Sequence, residues 1–378
     1  MEPHFPPEIW SNIFRFATFT ATSLNEMDWN PHWPYASSPE STDPTLSYRS
    51  TLRTKKTLTL VSRTFRGMSL EYLFEIVKLL RPRKAQLLLH TILSRTTGPV
   101  AGNSPAKFIK YIIINLDPGS ASDSRLMDGV LTKIFPFCTN LAGFGWTSTE
   151  RVLRGGQTDN STLIASIPLT ITTLEWNRDT LRRPFHALRN HITVRNLRVS
   201  HLLPAHQEDF NVKFPFITHL YARTPFAGMA ISRWSLPSLT HLNLEIFSKN
   251  HLELLFGKCK ESIRSIYIAA PWRTNGDLSW ILASIPKLET FSYDISIDTL
   301  GHKFSSPWLD VGHHASLTHI SIFCRPATDY GKATISNIRD FFSLHLQPLT
   351  SGHVSLLTIS IVDARNFFEQ GFFSGSRI

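Results

Sequence analysis

The sequence predicts an α/β protein built in two parts. Residues 1–80 are expected to form a short module of three helices, and residues 81–378 an irregular repeat solenoid with a parallel sheet on its concave side. Three observations predict this. Helix-period apolar stripes occupy the stretch before residue 75. An apolar-x-x-apolar-x-apolar unit then recurs ten times. The length of 378 residues and the 42% hydrophobic content allow a large buried core.

The module comes first. Ile9, Ile13 and Phe16 recur at i, i+4 and i+7, and Trp10 and Phe14 widen the stripe, so residues 6–19 are expected to be helical. Pro6-Pro7 suits a first helical turn, where the missing N–H is not needed, and Glu8 suits the positive end of the helix dipole. Pro31, Pro34, Pro39 and Pro44 then fall among Ser, Thr and Asn, which marks a long loop over 20–50. Helicity is expected to resume near Leu52, with Leu58, Val61 and Phe65 at i, i+3 and i+7. Gly67 is expected to interrupt it, leaving Leu70, Leu73 and Phe74 on a third short helix.

From Phe74 the rhythm changes. Residues 75–79 alternate and carry β-branched side chains, as a strand would, and residues 83–95 read as a helix. The repeated unit follows as Ile109/Ile112/Ile114, Leu141/Phe144/Trp146, Ile171/Leu174/Trp176, Val194/Leu197/Val199 and Ile217/Leu220/Ala222. It continues as Leu239/Leu242/Leu244, Ile263/Ile266/Ile268, Leu288/Phe291/Tyr293, Leu317/Ile320/Ile322 and Leu356/Ile359/Ile361. First positions are 32, 30, 23, 23, 22, 24, 25, 29 and 39 residues apart, and the central values match a leucine-rich period. Helices are expected in the linkers 125–135, 250–258, 277–284 and 332–346. The usual asparagine ladder is missing, since Phe247 and Pro271 stand at its positions, and an α/β fold of another kind stays open.

In such a solenoid the strand residues beside the core positions face the concave surface. They are Asn196, Arg198, His219, Tyr221, His241, Asn243, Ser265 and Tyr267, followed by Thr290, Ser292, His319 and Ser321. Aromatic, His and Arg side chains on a rigid strand array suit the binding of a protein substrate, and an ordinary solvated face is the alternative.

Charge is uneven. Residues 1–48 carry Arg15 against six acids, net −5, whereas residues 49–110 carry thirteen Lys/Arg against Glu71 and Glu75, net +11. The remaining residues carry 25 bases and 21 acids, net +4. A focused basic field favours an acidic partner. The basic clusters Lys55-Lys56 and Arg81-Pro82-Arg83-Lys84 lack interleaved aromatics and any nucleic-acid motif, so no specific nucleic acid is expected.

Catalytic signatures are missing from the sequence. It has no phosphate-binding glycine motif, no H-E-x-x-H, no C-x-x-C and no nucleophile elbow, so neither enzyme activity nor a cofactor or metal is expected. His313-His314 with His319 is the densest histidine group, and it reads as a polar loop entering a strand. Cys138, Cys259 and Cys324 are too few and too dispersed for a disulfide framework, as reduced cytosolic or nuclear thiols would be. No apolar run approaches the ~20 residues of a membrane span, and the N-terminus lacks a secretory pattern.

Phe5-Pro6-Pro7-Glu8-Ile9-Trp10 through Ile13-Phe14, then Leu58, Val61-Ser62-Arg63-Thr64-Phe65 and Leu70-Glu71-Tyr72-Leu73-Phe74, resemble an F-box domain. The form is the divergent one common in fungal F-box proteins with leucine-rich bodies. Phe5 stands where the family usually has Leu, Phe65 near its usual Trp, and about thirty residues separate the first two helices where the family has a short connection. The resemblance implies a substrate receptor of an SCF-type cullin–RING ubiquitin ligase. Pro6, Ile9, Ile13, Leu58, Val61 and Phe65 would form or support the interface with the acidic adaptor, and through it a cullin, while the repeats hold an unknown protein substrate. The other reading is a leucine-rich interaction scaffold whose N-terminal helices only cap the solenoid.

Overall fold

The computed structural model describes residues 6–18, 44–96, 104–116, 121–146, 161–177, 188, 190–199, 212–222, 231–244, 249–269, 278–296, 309, 314–325, 343, 349 and 358–362. The chain divides into two compact units, Met1–Asp209 and Phe210–Ile378. The first holds α1 (Pro7–Ala17), α2 (Pro44–Val61), α3 (Arg63–Glu75), β1 (Ile76–Leu79), α4 (Pro82–Thr96), a 3-10 turn (Pro105–Phe108), β2 (Tyr111–Ile114), α5 (Ala121–Ile134), β3 (Gly143–Trp146), α6 (Ser161–Ser166), β4 (Thr173–Trp176) and β5 (Asn196–Val199). The second holds β6 (His219–Ala222), β7 (His241–Leu244), α7 (Lys249–Cys259), β8 (Ser265–Ile268), α8 (Ser279–Ser284), β9 (Thr290–Ser296), β10 (His319–Arg325) and β11 (Thr358–Val362).

The fold is α/β. Within each unit the strands pair in sequence order, all parallel, without closing on themselves. Parallel neighbours need a crossover, and α4, α5 and α6 lie in the crossovers of the first unit, α7 and α8 in those of the second.

The apolar units set the register. Ile112, Phe144, Leu174 and Leu197 are successive cross-strand partners, as are Ile114, Trp146, Trp176 and Val199. In the second unit Leu220, Leu242, Ile266, Phe291, Ile320 and Ile359 form one row and Ala222, Leu244, Ile268, Tyr293, Ile322 and Ile361 the next. All these side chains are buried except in the last unit, where Ile359 is half-buried, Ile361 is exposed and Leu356 lies outside the described residues. Helices cover the rows with Ala85, Leu88 and Ile92 of α4, Met127, Val130 and Leu131 of α5, and Leu252, Leu255 and Phe256 of α7.

A different ladder replaces the missing asparagines. One residue before β2, β3, β4, β6, β7, β8 and β9, a backbone carbonyl accepts two N–H groups from the segment leading into the next strand. Lys110 O takes Ala142 N at 2.8 Å and Gly143 N at 3.0 Å, and Thr240 O takes Arg264 N at 2.8 Å and Ser265 N at 3.0 Å. Side chains add to it: Thr172 Oγ1 donates to Ala142 O (3.2 Å), Thr240 Oγ1 to Thr218 O (3.0 Å) and Thr318 Oγ1 to Glu289 O (3.1 Å). Each bond satisfies a main-chain group that a buried edge would otherwise orphan.

Four local expectations change. Helix α2 begins at Pro44, inside the segment expected to be loop, and proline is at home in a first helical turn. Gly67 does not interrupt α3; an added Cβ would meet nothing within 4 Å. The break falls at Ser62, whose extended backbone ends α2 and whose Oγ accepts from Phe65 N at 3.1 Å, a standard N-cap. Leu58, Val61 and Phe65 therefore do not share one helical face. The short α6 was not foreseen, because six residues are too few to display a helical period. The linker 332–346 lies outside the described residues except Ser343.

Candidate docking surface and the second sheet face

Helix α1 is apolar on two sides. Trp10 and Phe14 turn inward onto Phe65 of α3, with ring centroids 4.8 and 5.0 Å away. Tyr72 Oη donates to Ser11 O at 3.0 Å and ties the same two helices. The opposite stripe of Ile9, Ile13 and Phe16 stays in solvent, at 42, 44 and 86% exposure. At the end of α2, Leu60 and Val61 are also exposed, at 83 and 59%. Exposed cations accompany them: Arg53 and Lys56 on α2, Arg63 and Arg66 on α3.

Of the residues assigned to adaptor binding, Pro6, Ile9, Ile13 and Val61 are exposed, Leu58 is half-buried, and Phe65 is half-buried within the aromatic cluster. Phe65 therefore holds α1 in place rather than facing outward. Phe16 and Leu60 were missed. Phe16 shared the stripe with Ile9 and Ile13, but a stripe on a sequence does not say which side is buried.

Helix α3 is tied to the residue that precedes β2. Lys110, just before β2, bonds Glu75 of α3 at 3.0 Å and lies 3.6 Å from Glu71. Partial burial alone would lower the Lys110 pKa, but the bond and charge of Glu75, with Glu71, raise it above the ordinary value. Lys55 of α2 is buried, which lowers its pKa against the attraction of Glu75.

The second face of the sheet differs from expectation. Asn196, Arg198, Tyr221, Asn243, Ser265 and Tyr267 are buried, and His219 and His241 are half-buried. Parallel sheets are commonly covered on both faces, so residues beside the core are not an open array. In the first unit Arg198 Nη1 lies 3.7 Å from Glu175 Oε1, which also accepts from Asn177 Nδ2 at 3.1 Å. Asn196 Nδ2 donates to Thr173 Oγ1 at 3.1 Å. In the second unit Tyr267 Oη donates to Asp294 Oδ1 at 2.5 Å and its ring packs edge-on against Phe323.

His219 and His241 stack with centroids 4.1 Å apart and planes 8° from parallel. Thr218, Thr240 and Thr318 each place Oγ1 2.8 Å from Nδ1 of the following histidine, His219, His241 and His319. The hydroxyl protons of Thr240 and Thr318 already go to main-chain oxygens. Those hydroxyls must therefore accept from Nδ1–H, which fixes the tautomer of His241 and His319 and leaves Nε2 as an acceptor. Burial, with His241 alongside, pushes the His219 pKa down to about 4. Burial also lowers that of His241, against the opposing charge of Glu289. The Thr-His pairs ahead of strands were visible in the sequence but carried no signal without the register that stacks them.

His314 is structural: its Nδ1 accepts from Leu317 N at 3.1 Å, so Nε2–H donates to Ile285 O at 2.9 Å. His313 lies outside the described residues. Among the described residues no three His, Cys, Asp or Glu side chains gather as a metal site would require, and no helix is long and apolar enough to cross a membrane. Burial pushes the Cys138 and Cys259 thiols up to about 12, in Cys259 against the nearby Lys258 charge. Both are therefore poor nucleophiles at neutral pH.

No protein-family model and no curated protein matches this chain. Among solved structures, a crystal structure of a Bacteroides fragilis protein is similar at a TM-score of 0.38 and 13% identity, covering 84% of this chain and 83% of its own. A likeness that loose carries no argument about function.

Proposed function

We propose that the chain is an F-box-like substrate receptor, with α1–α3 docking on the acidic adaptor of a cullin–RING ubiquitin ligase and a leucine-rich-type body binding a protein target. The observation that carries the reading is the solvent-facing stripe of Ile9, Ile13 and Phe16 on a helix whose other apolar side is already anchored. A helix that only capped the repeats would have no use for that second stripe, and exposed apolar clusters mark interaction sites. The exposed cations of α2 and α3 suit an acidic partner. Strands at repeat-like intervals, joined by short helices, support the solenoid reading of the body.

The packing of α3 on the first repeat, through the Lys110–Glu75 bond, favours a cap as the second reading. A pull-down of purified full-length chain with the purified adaptor separates the two. Docking predicts binding that I13D weakens by at least about tenfold, the loss of one well-buried interface anchor. A cap predicts no binding, with the 20–50 segment intact or shortened, and that outcome would sink the receptor reading.

A further inference from the structure

The basic cluster that opens α4 has no part in the α1–α2 surface. Helix α4 carries no acidic residue over Pro82–Thr96. Arg83, Lys84 and Arg95 of α4, with Arg125 and Lys133 of α5, are exposed. Among the described residues none of these five side chains has an ion-pair partner. The acids of the two helices, Asp123 and Asp128, are half-buried on α5. Arg83 and Lys84 also sit in the first turn of α4, where the positive end of the helix dipole disfavours cations. Folding gains nothing from that placement, whereas an anionic partner would relieve it.

Apolar side chains stand among these charges. Leu87 and Leu126 are 60 and 46% exposed. Each is the sixth residue of its helix. Both helices link successive parallel strands, so they run in the same direction, and they pack on each other. Each leucine thus stands in the second turn of its helix, with Arg83 and Lys84 one turn before Leu87 and Arg125 next to Leu126.

We propose that the outer face of α4 and α5 docks an acidic segment of a partner protein that brings its own Leu or Phe anchors. A nucleic acid would use the cations alone, through its phosphates, and leave the leucines idle. A membrane-surface helix needs a broad apolar face with aromatic anchors, and neither helix contains Phe, Tyr or Trp. The residues of this surface lie on helices other than α1 and α2, and I13D tests the two surfaces independently.

Fluorescence anisotropy of the full chain with a labelled synthetic peptide of repeated Glu-Leu-Asp-Phe units tests it. Binding is expected, weakening as salt rises. R83E/K84E should cost about tenfold in affinity, the sum of two surface-charge reversals. L87S/L126S should also weaken binding, and I13D should leave it unchanged. All the substituted positions are exposed, and circular dichroism confirms that each variant is folded. Peptide binding indifferent to both double variants overturns the proposal. So does binding of phosphatidylserine vesicles or duplex DNA through these residues while the peptide fails to bind.

Discussion

Replacing His219 with Phe removes a proton site while keeping an aromatic ring on His241. The folded state holds His219 near a pKa of about 4, against an ordinary value of 6.5, because burial and the adjacent His241 disfavour the imidazolium. A histidine with a depressed folded pKa stabilises the fold fully above its unfolded value. That contribution is lost as the pH falls from about 6.5 towards 4. Between pH 7.5 and pH 5 the full shift corresponds to about 2 kcal/mol. His219 is only half-buried, and screening reduces the expected loss to about 1 kcal/mol. Urea denaturation at both pH values measures it. The hydrogen bond to Thr218 is lost in H219F at either pH and cancels in the comparison. Wild type should lose about 1 kcal/mol more than H219F on acidification. Equal losses in the two proteins, or an NMR titration placing His219 at or above 6.5, would refute the argument.

Gly67→Ala should raise stability by about 0.5–1 kcal/mol, because the position is an exposed helix interior with open space at Cβ; the urea midpoint reports it. Leu174→Ala should cost about 2–5 kcal/mol, since Leu174 is fully buried in the row between Phe144 and Leu197. Arg198→Ala strands Glu175 in a buried site and should cost about 3 kcal/mol, the low end for a broken buried pair because the 3.7 Å separation is loose and Asn177 still serves the carboxylate. Thermal melting of Arg198→Ala beside Glu175→Gln/Arg198→Met should show the double variant recovering part of that loss.

The strand positions were legible because burial of one sheet face leaves a period the eye can follow. Ile112, Phe144, Leu174 and Leu197 were aligned correctly by spacing alone, and the same held for the α4, α5, α7 and α8 crossovers to within a few residues. The second face was not legible. Glu175, Asn196 and Arg198 look like solvent-facing residues until the register brings β4 and β5 together and lets them satisfy one another. A polar side chain reports nothing about its burial when its partner lies 23 residues away, as Asn196 does from Thr173.

The candidate docking surface divides the same way. The sequence alone carries the apolar circumference of the first helix, the basic segment that follows it and the recurrence of apolar strand units along the body. All three follow from local pattern. Tertiary packing turns Trp10 and Phe14 inward while Ile9, Ile13 and Phe16 face out, because that choice depends on where Phe65 and Tyr72 arrive from α3. It also decided that Ser62 separates Val61 from Phe65, leaving one side chain in solvent and the other in the aromatic cluster. Periodicity measures how apolar residues are spaced along a helix, but burial depends on which neighbour closes over them.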